Sequence, residues 1–368
     1  RKLFVERIDI EGNSDTLDRV IRREFESVEG DPFNARKVQA AADRIRALGF
    51  FERVDVQTRE GSAPDQIVID VNVVEKPTGS LGFGVGYGTD GGFNGNVSLT
   101  EDNFLGRGQS LSLALNTSSE NRQFTFSFTE PKLFDRDLLA GITLSYSTTD
   151  NDELDYTSRQ FAILPRLEFP VGEYARLSPS LYLSSDKVTP NANVSPLVAL
   201  EANNDGTAFG VGLGYTYDRR NSPIDPTAGF IFQINNTMTG LAGDRKFFQS
   251  VANAKTYRSV LNEEVIFSLE LEGGYLTSFG GGNTSIVDRF QLGGNTLRGF
   301  EAFGIGPRDV SADPNNAGTN FDSALGGNFY ALARLEASFP IGLPEEYGIH
   351  GGLFFDAGSV WGLDAKTA

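Results

Sequence analysis

Residues 80–88 read Ser80-Leu81-Gly82-Phe83-Gly84-Val85-Gly86-Tyr87-Gly88. Leu81, Phe83, Val85 and Tyr87 alternate with glycine, so a strand here has one apolar face and one face without side chains. The alternation recurs downstream in Leu111, Leu113 and Leu115, in Phe124, Phe126 and Phe128, and in Ile142, Leu144 and Tyr146. It continues in Phe209, Val211, Leu213 and Tyr215, in Phe230, Phe232 and Ile234, and in Val265, Phe267, Leu269 and Leu271. The residues between are mostly Ser, Thr, Asn, Gln, Gly, Arg or Glu. In a soluble sandwich the apolar face turns inward. In a transmembrane barrel the same pattern is inverted, with apolar side chains toward lipid and polar ones toward a wet lumen.

Turn lengths separate the two cases. About thirteen strand-like segments follow residue 79, many of about ten residues, which suits a tilted membrane strand better than a soluble one. Connections near 102–108, 131–136, 170–174, 218–228, 262–263 and 341–346 read as short. Those near 148–156, 187–206, 240–248 and 280–326 read as long and rich in Asp, Asn, Gly and Ser. Short turns on one side and long loops on the other predict an outer-membrane barrel over 79–368.

Composition agrees. The chain of 368 residues contains no Cys, which excludes disulfides and thiolate metal sites, and its single His argues against a His-based metal or catalytic centre. A net charge of −17 argues against nucleic acid as a partner. Glycine at 42 positions and 29 Phe against one Met depart from an average soluble enzyme. No apolar run is long enough for a membrane-spanning helix, which leaves a barrel open, since its apolar face is hidden in alternation. Arg1 already lies in strand-like sequence, as expected of a mature chain or an excised fragment.

Residues 1–76 predict a separate α+β module on the short-turn side. Leu3–Ile10 has a strand pattern, and Ser14 or Asp15 is expected to cap a helix carrying Leu17, Val20, Ile21, Phe25 and Val28. After Gly30-Asp31-Pro32, Asn34 is placed to cap a second helix with the stripe Val38, Ala41, Ala42, Ile45 and Leu48, stopped at Gly49. Strands over 51–58 and 66–74 follow, so two helices cover one sheet face and one strand edge is expected to stay open.

The segment near 280–326 has no sustained period, yet is too long to be an idle connection in a compact domain. It contains Asp288-Arg289-Phe290-Gln291-Leu292-Gly293-Gly294-Asn295-Thr296-Leu297-Arg298-Gly299-Phe300. Glycines permit tight turns, Leu297 and Phe300 are expected as apolar anchors, and Arg298 is a five-donor fork that needs acceptors when buried. A loop tucked inside the barrel, with Arg298 docked on carboxylates, follows from this.

These motifs resemble known families. The N-terminal module resembles a polypeptide-transport-associated (POTRA) domain, chiefly at Gly30-Asp31-Pro32-Phe33 and Leu48-Gly49-Phe50-Phe51-Glu52-Arg53-Val54. The remainder resembles the BamA family of outer-membrane β-barrel assembly proteins. The matching pieces are Asn103-Phe104-Leu105-Gly106-Arg107-Gly108, Glu130-Pro131, Asp218-Arg219-Arg220 with Pro226, Leu297-Arg298-Gly299-Phe300, and Phe354-Phe355-Asp356-Ala357-Gly358. The resemblance implies that the loop folds back into the lumen, where Arg298 pairs with Glu336 and Asp356. Strand parity agrees, because both carboxylates fall opposite their apolar neighbours.

The resemblance further implies a sixteen-stranded barrel, and the ending Ala365-Lys366-Thr367-Ala368 lacks the family's aromatic closing strand, so a fragment without its closing strands is expected. It implies insertion of β-barrel proteins into the outer membrane without nucleotide. Client strands would pair with the edge Leu81–Tyr87 at a lateral seam, and glycine would weaken that strand. Implied partners are unfolded outer-membrane proteins, accessory assembly lipoproteins and outer-membrane lipid, with the module in the periplasm.

The competing readings are a secretion pore, of the two-partner-secretion type or the related translocation and assembly factor, and a passive porin, which needs no leading module. No cofactor, metal site or catalytic constellation is expected. Asp150, Asp152, Glu153 and Asp155 lack the spacing of a calcium loop, the glycines of 82–88 precede no helix that could receive phosphate, and His350 has no partner pattern.

Overall fold

A computed structural model describes residues 3–27, 29–88, 92–118, 120–151, 154–192, 194–201, 205–261, 264–313, 315–316, 318–342 and 349–364. Val28, Asp152, Glu153, positions 262–263 and 343–346 of the expected turns, and 365–368 lie outside them.

The N-terminal module runs β1 (Phe4–Glu11), α1 (Asp18–Arg22), α2 (Ala35–Ala47), β2 (Phe51–Glu60) and β3 (Gln66–Glu75). β3 is central, parallel to β1 and antiparallel to β2. Asn34 caps α2 by accepting from the backbone N–H groups of Arg36 and Lys37, and Gly49 ends it at φ +78°. The α2 stripe of Val38, Ala41 and Ile45 packs with Val20, Ile21 and Phe25 on Val5, Ile8, Ile69, Val71 and Val73. The far side of β1 bonds the 30–33 loop, Val5 N–H donating to the Asp31 carbonyl at 2.9 Å. The outer edge of β2 is left without a strand partner among the described residues.

The expected cap of α1 is corrected. Leu17 occupies the N-cap with no side-chain bond. Ser14 Oγ and the backbone N–H groups of Asp15 and Thr16 instead donate to the Glu75 carboxylate at 2.8, 2.9 and 2.6 Å. A carboxylate from the adjacent strand end is a better acceptor than the local hydroxyl would be a cap. Burial works against the Glu75 charge, but these bonds outweigh it and hold the carboxyl at about 2.

β4 (Gly79–Gly88), β5 (Gly92–Phe104), β6 (Gln109–Ser118), β7 (Asn121–Glu130), β8 (Leu139–Asn151), β9 (Tyr156–Pro170), α3 (Pro196–Glu201) after β10 (Ala175–Pro190), β11 (Gly206–Asp218), β12 (Ala228–Gly243), β13 (Phe247–Val260) and β14 (Val265–Ser278) follow. Next come β15 (Arg308–Asp309), β16 (Ser323–Ala324), β17 (Phe329–Pro340) and β18 (His350–Trp361). β15 and β16 pair with each other inside the 279–328 connection. The other thirteen strands form one antiparallel sheet in chain order, with β4 and β18 at its two ends and no pairing between those two among the described residues. Alternate apolar side chains along it, such as Leu81, Phe83, Leu213, Phe267, Leu269, Leu335 and Phe355, are exposed, the inverse of a soluble sheet.

Two compact units emerge, one comprising 1–83, 97–114 and 126–141, the other 84–96, 115–125 and 142–368. In the first, the β5–β6 turn docks on the module. Asn103 Nδ2 donates to Thr16 Oγ1 at 2.9 Å, and Leu17 N–H donates to the Gly106 carbonyl at 2.9 Å. Gly106 sits at φ +68°, where a Cβ would lie 1.9 Å from the Asp15 carbonyl oxygen, so only glycine permits this approach.

The expected long connection at 240–248 is corrected. β12 runs to Gly243 and β13 resumes at Phe247, because Gly240 and Gly243 at φ +111° and +90° let the hairpin twist instead of splaying into a loop. The long connections on that side are 191–205 and 279–328.

Candidate functional site

The 279–328 connection lies within the second unit and packs on the sheet face opposite the exposed apolar rows. Leu292 and Leu297 are buried against Tyr330, Leu332 and Val360, all of even parity on β17 and β18. The Phe290 and Tyr330 rings meet at 4.6 Å. Sheet glycines make the room: a Cβ on Gly274 would lie 2.6 Å from Phe290, and one on Gly358 3.3 Å from Leu292.

Arg298 is then carried to β18. Its Nε and Nη2 donate to Asp356 Oδ2 and Oδ1, each at 2.7 Å, and its backbone N–H donates to Oδ2 at 3.2 Å. Glu336 is looser, 3.6 Å from Nη1 and 46% exposed, against 2% for Asp356. The two acceptors share one sheet face through the register Arg334↔Asp356 and Glu336↔Phe354. Of the anchors, Leu297 is buried at 1% exposure, whereas Phe300 is 51% exposed. That corrects the expectation for Phe300: Gly299 at φ +91° turns the chain away once Arg298 is seated, and Leu292 takes the second anchoring place.

Three contacts were not foreseen. The Arg298 guanidinium lies 3.8 Å from the centre of the Phe354 ring, a cation–π contact. Arg334 Nη2 donates to the Thr296 carbonyl at 2.7 Å and holds the turn before Arg298. Arg289 is fully buried, donating to the Thr284 carbonyl at 2.8 Å and to Glu201 at 3.1 Å. Phe354 and Arg334 share the parity of Asp356 and Glu336, a signal present in the sequence. Arg289 and Glu201 are brought together only by the fold. Nearby, Arg245 pairs with both Asp186 and Asp288; burial pushes the Asp288 carboxyl up to about 6 against the pull of Arg245.

At the other end of the sheet, Leu81, Phe83, Val85 and Tyr87 of β4 are exposed. Gly82, Gly84 and Gly86 lie under polar side chains of β5: their Cβ positions would fall 2.7 Å from Ser98 Oγ, 2.0 Å from Asn96 Oδ1 and 2.8 Å from Asn94 Oδ1. No group of His, Cys, Asp or Glu among the described residues could hold a metal ion. No described helix is long and apolar enough to cross a membrane.

A family model of the Omp85 superfamily domain matches residues 103–368. The chain belongs to the Omp85 superfamily. A POTRA family model, the surface antigen variable number repeat, matches residues 3–76 of this Omp85 chain. The chain is 30% identical over 369 residues to the outer membrane protein assembly factor BamA of Neorickettsia risticii, covering 100% of itself and 48% of that protein. It is 28% identical over 395 residues to the BamA of Neisseria meningitidis serogroup B, covering 100% of itself and 47% of that protein. The Omp85 chain thus spans about half the length of the curated relatives it matches.

Among solved structures, the BamA of Haemophilus ducreyi lacking POTRA domains 1–3 matches with TM-score 0.82 and 28% identity, over 98% of this chain and 73% of that one. CdiB from Acinetobacter baumannii matches with TM-score 0.64 at 15% identity, over 97% of this chain and 63% of that one, a likeness of fold alone. POTRA domain followed by a thirteen-stranded antiparallel sheet is therefore the architecture of this Omp85 chain.

Proposed function

We propose that this chain is the core of an outer-membrane insertase that assembles β-barrel proteins by edge-strand templating and consumes no nucleotide. The observation that carries the reading is β4: it is the first strand of the sheet, it follows the POTRA domain directly, and Gly82, Gly84 and Gly86 leave one of its faces without side chains to pack. A first strand held weakly in its sheet is one with which a client strand can pair. The names of the assembly-factor relatives support the same reading. Clients are unfolded outer-membrane proteins, which the open β2 edge of the POTRA domain receives in the periplasm. Outer-membrane lipid surrounds the exposed apolar rows, and accessory assembly lipoproteins complete the machine. The 279–328 connection, pinned by Arg298 on Asp356 with Glu336 alongside, serves as a strut in the barrel lumen.

The test is disulfide crosslinking in intact outer membranes. The described chain has no native Cys, so single cysteines along Leu81–Tyr87 can be paired with cysteines along the strands of a folding client. Register-specific crosslinks to the client are expected. If β4 crosslinks only within its own protein while a soluble passenger crosslinks inside the lumen, the secretion pore replaces the insertase.

A further inference from the structure

A cavity of about 910 Å³ lies within the first compact unit, where the N-terminal module meets the ends of β5 and β6. Leu99 of β5, Leu105 of the β5–β6 turn and Leu111 of β6 make its apolar wall. Leu99 follows Phe93 and Val97 in an exposed apolar row, and Leu111 begins the row that continues in Leu113 and Leu115. Such rows face lipid in an outer-membrane barrel. Leu105 carries the apolar wall past the strand ends. It is 68% exposed and sits at φ +54°, a left-handed conformation that costs a bulky side chain more than it would cost Asn. A strained, uncovered leucine at the mouth of a cavity is placed to meet an apolar partner.

The remaining wall is charged. The module contributes Asp15, Glu75 and Lys76, and β5 contributes Glu101. None of the four takes part in an ion pair among the described residues. Glu75 is held by Ser14, Asp15 and Thr16, while Glu101 accepts from the Asn103 N–H at 2.9 Å and from Thr78 Oγ1. Neutral donors orient these two carboxylates without cancelling their charge. Asp15 and Lys76 are exposed. Three anions and one cation beside an apolar wall suit a ligand that carries an ammonium, a phosphate and a hydrocarbon chain. The volume falls in the range of roughly 300–1,000 Å³ typical of small-ligand sites.

We infer that this cavity binds one phospholipid with an amine head group, drawn from the leaflet on the module's side. Its ammonium lies among Glu75, Glu101 and Asp15, its phosphate meets Lys76, and the first part of an acyl chain runs along Leu99, Leu105 and Leu111. The site needs only that the chain lie in an outer membrane, and it is independent of how client strands are handled. A glycerol-headed phospholipid has no ammonium and would bring its negative charge to three carboxylates, so the cavity selects against it.

The experiment places the full-length protein in nanodiscs of equimolar palmitoyl-oleoyl phosphatidylethanolamine and phosphatidylglycerol, transfers it to detergent and reads the retained lipid by native mass spectrometry. One phosphatidylethanolamine per protein is expected, in roughly fivefold or greater excess over phosphatidylglycerol. Lys76→Ala and Leu105→Asn, the second suited to the left-handed backbone, are each expected to cut retention roughly fivefold. A second arm leaves the protein unaltered and uses phosphatidylethanolamine with a photoactivatable diazirine near the start of one acyl chain. Crosslinks within residues 99–111 are expected, whatever the substitutions do to folding. Crosslinks confined to other strands overturn the inference. Equal retention of the two lipids, retention indifferent to both substitutions, or no retained lipid overturns it as well.

Discussion

Arg298 and Asp356 meet as a two-point pair, with Nε and Nη2 of the guanidinium on the two oxygens of one carboxylate at 2.7 Å each, while the Arg298 backbone N–H bonds the same group. The side chains are 58 residues apart in sequence and close the long connection onto β18. Planar, two-point geometry is what a guanidinium offers and an ammonium does not.

The pair is asymmetric, and substitutions should reveal it. Asp356 is almost fully covered, so Arg298→Ala strands a covered carboxylate and is expected to cost about 3 kcal/mol or more. Asp356→Asn, which leaves a neutral acceptor, is expected to cost roughly half as much, and Glu336→Gln under about 0.5 kcal/mol. Heat-modifiable mobility against temperature ranks the three; equal effects of Glu336→Gln and Asp356→Asn would contradict the geometry.

Phe354 contributes through its ring face. Phe354→Leu is expected to lose about 0.5–1 kcal/mol of coupling to Arg298. A double-mutant cycle with Arg298→Ala, read by urea unfolding in detergent, isolates that coupling; a value near zero would mean the ring merely fills space.

In the N-terminal module, Glu75 sets a pH dependence. Its carboxyl sits at about 2 in the folded chain against an ordinary value of 4.5. A depressed carboxylate adds stability that is complete above the unfolded value and is lost as pH falls through the folded one, so the window is pH 4.5 down to 2. Glu75→Gln is expected to lower stability at neutral pH by about 1–2 kcal/mol and to flatten the acid limb of the melting profile between those values. An unaltered acid limb would assign that titration to other groups.

Two left-handed glycines should differ in cost. A Cβ on Gly106 meets the Asp15 carbonyl at 1.9 Å, whereas nothing lies within 4 Å of one on Gly299. Gly299→Ala bears the conformational cost alone, about 1 kcal/mol, while Gly106→Ala must also push apart the turn and the module, at about 3 kcal/mol or more. Limited proteolysis in the 12–18 segment measures the second effect, and global melting measures the first.

The order of elements was legible because it is written in local periods. Stripes such as Val38, Ala41 and Ile45 repeat at helical spacing, and Leu81, Phe83, Val85 and Tyr87 at strand spacing, and both show in one dimension. Asn34 was readable as a cap because its partners are two and three residues away. Parity placed Glu336 and Asp356 on one face, since a strand fixes the side of every second residue. The roles of Ser14, Asp15 and Phe300 are not legible in the sequence, for the opposite reason. Their roles depend on Glu75, 61 residues from Ser14, and on how Gly299 turns the chain after Arg298 is seated. The meaning of the glycine rows was likewise invisible in sequence: β4 and β11 share a motif, and only strand order shows that one ends a sheet and the other lies within it. Sequence by itself determined the periods, the caps and the faces, because these are set by neighbours along the chain. Tertiary structure alone decided which carboxylate receives Arg298, which residues bury Arg289, and which glycines lie beneath an amide, because those contacts depend on distances that the chain closes only when it folds.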